Sequence, residues 1–75
     1  MKLDKKEVYE ARYPAGTILE LTAPINDPYT SKPVGARFKV SKVDDAGQLH
    51  GIWLPPQHGS IAVDIEHDKF IIVNN

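Results

Sequence analysis

Cysteine is absent from this chain of 75 residues, tryptophan and methionine occur once each, and neither acids nor bases predominate. Without cysteine there can be no disulfide and no thiolate metal site, which fits a reducing, cytoplasmic setting. A formal net charge of -1 argues against a general polyanion binder, a class that carries a clear basic excess. Long apolar runs are missing too. The longest, such as Phe70-Ile71-Ile72-Val73, span only a few residues, too few for a membrane span or the apolar centre of a signal peptide. There is no internal repeat and no low-complexity segment, and the length allows one core only. A chain this short buries only about 60% of its unfolded surface, so most of its large apolar residues must serve that core.

What is present is unevenly arranged. From Lys32 to Lys42 the chain holds Lys32, Arg37, Lys39 and Lys42 and no acid. From Asp44 to Asp68 the charged residues are Asp44, Asp45, Asp64, Glu66 and Asp68, taking the histidines as neutral.

The opening LDKKEVYEAR predicts a short helix. Asp4 and Glu7 have the spacing of a capping box, and Leu3 and Val8 that of a hydrophobic staple. Tyr13-Pro14 should end it, because the residue before a proline is driven out of the helical region. A helix so short is marginal in water and needs a surface to lie on.

From Thr17 the period changes to two. Leu19 and Leu21 share one face, with Ile18 on the other; Phe38 and Val40 point in while Arg37, Lys39 and Ser41 point out. Asp44-Asp45-Ala46-Gly47 suits a hairpin turn with Gly47 at positive φ. In the strand that follows, Gln48 to Leu54, Leu49 and Trp53 oppose His50, Ile52 and Leu54. Pro55-Pro56-Gln57-His58-Gly59 cannot continue a ladder. Ile61 and Val63 open a fourth strand, Glu66-His67-Asp68 forms a brief turn, and Phe70 and Ile72 alternate along a fifth. The expectation is mainly β: a small five-stranded SH3-like barrel over residues 13–75, preceded by a short N-terminal α-helix over residues 1–12. In such a barrel the first and last strands are neighbours. Ile18, Ile52 and Ile71 then form an outward apolar stripe, which the helix is expected to cover with Val8 and Tyr9; the other reading is a dimer or partner surface.

An ordered series of short signatures runs through nearly the whole chain: Tyr13-Pro14-Ala15-Gly16-Thr17, Asn26-Asp27-Pro28-Tyr29, Pro33-Val34-Gly35, Val43 to Gln48, Trp53, Gly59-Ser60 and Asp68-Lys69-Phe70. In this it resembles a bacterial and phage family known only as domain of unknown function 4314. The resemblance implies a small barrel carried by bacteria, plasmids or phages, and supplies no catalytic residues. In that family the tryptophan is usually followed by a tight Asp-Asn-Gly turn. Here Leu54-Pro55-Pro56-Gln57-His58 makes the loop longer.

The long polar connection NDPYTSKPVG, with a turn begun at Asp27-Pro28, is the least explained feature of a domain that only folds, and long loops in small domains are often functional. Tyr29 within it either packs over the barrel end or contributes to a recognition groove. Arg37 and Lys39 share a strand face with Lys32 and Lys42 near its ends, a stripe that could follow a phosphate backbone or simply guard a strand edge. The candidate binding residues are thus Asp27, Tyr29, Lys32, Arg37, Lys39 and Lys42. No serine has an elbow or triad context, and His50, His58 and His67 lack the spacing of a zinc site. The expectation is a non-enzymatic protein-interaction module without metal or cofactor, monomeric or weakly dimeric. An inhibitor of a host defence or regulatory protein is one form of it. A nucleic-acid-binding module is the alternative.

Overall fold

Tyr13-Pro14 ends the helix as expected: α1 covers Lys5–Arg12, and the Tyr13 amide donates to the Tyr9 carbonyl at 2.8 Å in the closing turn. The structure, a computed structural model, describes residues 5–26, 31–60 and 62–74. The expected cap at Leu3 and Asp4, and Ile61 of the fourth strand, lie outside these. After α1 come β1 (Ile18–Leu21), β2 (Ile25–Asn26), β3 (Ser31–Lys32), β4 (Arg37–Val43), β5 (Gln48–Trp53), β6 (Val63–Asp64) and β7 (Phe70–Ile72).

Five of the strands form one antiparallel sheet in the order β6-β5-β4-β1-β7. The expected contact between first and last strands is present, with Leu19 opposite Ile72 and Leu21 opposite Phe70. Among the described residues β6 and β7 do not pair with each other, so the sheet is open and has two edges. The described residues form a small, mainly β domain with one short helix. The flanks of NDPYTSKPVG belong to strands. β2 and β3 pair as a short antiparallel ladder, with Ile25 opposite Lys32 and Asn26 opposite Ser31.

One face of the sheet carries the core. Trp53, Phe38, Leu19 and Ile72 lie across neighbouring strands in a single row. Phe38 and Trp53 meet edge to face with centroids 5.0 Å apart, the arrangement that aromatic quadrupoles favour. Leu21, Val40, Val43, Leu49 and Val63 complete the buried set. Parity alone would turn Val43 outward. A β-bulge between Val40 and Lys42 inserts one extra residue on β4, opposite Gly51 and His50 of β5, and turns Val43 back into the core.

The helix does not cover the outward isoleucines, which corrects the expectation. Ile52 and Ile71 stay 52% and 50% exposed. Tyr9 joins the core instead, its ring lying against Gly47, and the Ile65 amide bonds the Gly47 carbonyl beside it. The helix therefore seals the end of the core at the 44–47 turn, where its one buried side chain has apolar partners. Tyr13, just past the helix, meets Phe70 edge to face at 5.8 Å.

Candidate functional site

Two connections meet at the opposite end of the sheet, because β1 and β5 both run towards it. The turn after β3 is fixed by its backbone. Gly35 adopts φ +90° and donates to the Leu21 carbonyl at 2.9 Å, and the Leu21 amide returns a bond to Ala36. Gly35 is needed there, since a positive φ is costly for residues with a Cβ. The loop after β5 begins with Leu54 donating to the Arg37 carbonyl at 2.8 Å, and Gly59 accepts from the Trp53 amide at 3.0 Å.

Between these connections lies an open cleft of about 430 Å3. Pro33 and Val34 form one wall, Leu54, Pro55 and Pro56 the other, and Arg37 stands on the strand between them. Val34 is 59% exposed, the most exposed of the large apolar side chains described. Lys32 ties the neighbouring β2–β3 ladder to the same loop. Its Nζ donates to the His58 carbonyl at 3.3 Å and sits 5.5 Å from the centroid of the Trp53 ring, within cation–π reach.

The cations expected to act as one stripe are divided by this geometry. Lys32 is engaged as just described. The Arg37 Nε donates to Glu20 Oε1 at 3.1 Å across β1 and β4, so half of that pair is acidic. Lys39 is exposed but lies in register between Ile18 and Ile52. Lys42, past the bulge, pairs in register with His50 and borders a separate, smaller cleft with Glu10, Tyr13 and Pro14. Asp27 and Tyr29 lie outside the described residues. The outward stripe extends past the three expected isoleucines, because Val73 donates its amide to Ile18 and stands beside it, while Ile71 faces Glu20.

The acidic segments do turn chemistry. Asp44 accepts from the Ala46 and Gln48 amides and from the His50 ring at 2.8 Å; the His50 hydrogen bond, then the Gln48 amide, hold its carboxyl below the usual range. Asp64 Oδ1 accepts from the Glu66 amide, and its Oδ2 lies 2.8 Å from His67 Nδ1. Desolvation raises the Asp64 carboxyl, but the bonds from His67 and Glu66 together outweigh it and leave it lowered. His67 is raised in turn, first by its hydrogen bond to Asp64 and then by that charge. Among the described residues no three histidine or acidic side chains converge as a metal would need.

Parity along strands could not find the cleft, because its walls come from two loops about twenty positions apart in the sequence. The available signal was local: Val34, an apolar residue in a Pro-x-Gly turn where no strand face claims it, and the paired prolines after Leu54.

A sequence profile described as "Domain of unknown function (DUF4314)" matches residues 4–68. No curated protein and no solved structure matches the chain.

Proposed function

The chain belongs to this family, DUF4314, and from that footing we propose a non-enzymatic protein-interaction module built as a half-open, SH3-like barrel. Its partner segment lies in the cleft between the 33–36 turn and the 54–57 loop. The pairing of first with last strand and the meandering order of the other strands support the SH3-like reading. The observation that carries the functional reading is the cleft itself, whose walls of Pro33, Val34, Leu54, Pro55 and Pro56 flank the Arg37 guanidinium, with Gln57 the other polar side chain in the lining. Apolar walls with few polar fixtures suit a protein segment better than a phosphate backbone. One wall is the lengthened loop in which this chain departs from the family's usual pattern, so partner choice is expected to be particular to this chain. An inhibitor that occupies a host defence or regulatory protein is the specific form we favour, acting as a cytoplasmic protein of a phage or other mobile element.

The nucleic-acid alternative is weaker because Glu20 and the His58 carbonyl engage two of the four cations. The test is stoichiometric capture from bacterial lysate by wild-type protein and by Val34→Asp and Leu54→Asp, each checked for unchanged circular dichroism. Loss of the captured protein with both variants is the expected result. Capture that ignores both substitutions would rule out the cleft, and capture of nucleic acid alone would replace the proposal with the alternative.

A further inference from the structure

The two edges of the sheet are not alike. β6 is two residues long and ends in Asp64, whose carboxylate is engaged in the 64–68 turn. Short length and charge are the usual protections of a strand edge. β7 lacks them. Phe70 to Val73 is apolar throughout, without a charge, a proline or a bulge, and among the described residues no strand lies on its outer side.

The ladder with β1 shows which backbone groups that outer side presents. Val73 donates to the Ile18 carbonyl and the Lys69 carbonyl accepts from Thr22, so residues 69, 71 and 73 direct their amides and carbonyls towards β1. By the alternation of antiparallel pairing, the amides and carbonyls of Phe70 and Ile72 point the other way, away from the sheet. The side chains agree. Ile72 has the parity of the core, opposite buried Leu19, yet is 46% exposed, and Ile71 and Val73 are exposed on the other face. An added strand would set its own side chains beside those of β7 on both faces.

We infer that a second copy of this chain supplies that strand, β7 pairing antiparallel with β7 about a two-fold axis at Ile71. The register follows from the outward groups. Phe70 and Ile72 of one copy exchange hydrogen bonds with Ile72 and Phe70 of the other, and the two Ile71 side chains meet across the closely spaced, non-hydrogen-bonded pair. The charge pattern permits this. Between Lys69 and Asn74 the only charge is Lys69, which falls opposite Val73 of the other copy rather than opposite its own equivalent. Such an isologous contact closes on itself and joins the two five-stranded sheets into one. It leaves the cleft free, since β7 and the cleft lie on different strands and loops.

Sedimentation over a range of concentrations, with amide hydrogen exchange, tests the pairing. The wild-type mass should rise from 8.4 kDa towards twice that value, and exchange at Phe70 and Ile72 should slow with concentration, while Ile71 and Val73 are protected throughout. Ile71→Lys places like charges at the two-fold axis and should keep the protein at monomer mass with unchanged circular dichroism. Ile72→Pro, which removes an outward amide and spares the hydrogen bonds between β7 and β1, should do the same. Wild-type protein that stays at monomer mass at every concentration would overturn the inference and leave the edge to a strand from another protein. A dimer that persists in a folded variant would overturn it equally, by placing the contact elsewhere.

Discussion

A methyl group added to Gly51 would overlap the carbonyl oxygen of Lys39 and crowd the amide of Ser41. The bulge brings this stretch of β4 against Gly51, and all three neighbouring atoms nearest the site are backbone, so no side chain can swing aside. Gly51→Ala should destabilise by about 3 kcal/mol, the upper part of the range for overpacking that moves backbone, read as a lowered midpoint in denaturant with an unchanged slope. His67 makes a second residue-scale prediction. Its folded pKa lies above the ordinary 6.5, so the stabilisation is complete below that value and is lost as pH rises through the folded pKa. Asp64 is held below its ordinary 3.8, so its contribution is present above that value and is lost as pH falls through the lowered one. The contact is therefore at full strength between those ordinary values. In Asp64→Asn, which keeps an oxygen for the Glu66 amide, His67 should titrate lower than in wild type by NMR. An unchanged titration would exclude Asp64 as the cause.

At the scale of elements, α1 buries one side chain. Tyr9 is its buried residue, and its hydroxyl reaches Glu66 only at 3.5 Å, so apolar contact rather than that hydrogen bond holds the helix. Tyr9→Ala should cost roughly 3 kcal/mol, as for other buried aromatic truncations. Tyr9→Phe should cost well under half of that, and thermal unfolding of the two variants separates the contributions. The main strands were legible in the sequence because one face of each is buried and the side-chain period is two: Leu19 and Leu21, Phe38 and Val40, and Leu49 and Trp53 are all core. The helix end was legible at Tyr13-Pro14 and the β4–β5 turn at Gly47, which adopts φ +83°. β2 and β3 were not, since two-residue strands have no period to read. Nor was the bulge, because Ser41 and Lys42 are both polar and neither announces which one is extra. The destination of the helix stayed hidden for another reason. Its periodicity marked a surface to be covered, but a single tyrosine found that surface at the end of the core rather than on the outward isoleucines.

For the molecule as a whole, the local run of cations has to be read together with the residues that folding brings beside it. A stripe read from Lys32 to Lys42 ignores residues that folding brings alongside, and Glu20 sits far back in the sequence yet bonds Arg37 directly. Replacing Arg37 and Lys39 together by glutamate should therefore leave behaviour in a low-salt nucleic-acid shift assay unchanged; a bound wild type released by the double substitution would revive the polyanion reading. The same joining of distant segments is clearest where β1 begins and β7 ends. The Asn74 side chain accepts from the Ile18 amide at 2.6 Å and donates to the Gly16 carbonyl at 3.1 Å, standing in for the peptide group that the next rung of the ladder would need. An amide side chain is also open to chemical ageing. Deamidation of Asn74 to aspartate would keep the acceptor facing Ile18 but set a carboxylate oxygen against the Gly16 carbonyl, two acceptors with no hydrogen between them. Aged protein, identified by a one-dalton gain at Asn74, should show faster amide exchange at Ile18 than fresh protein, so that storage loosens the fold first where its two ends are fastened.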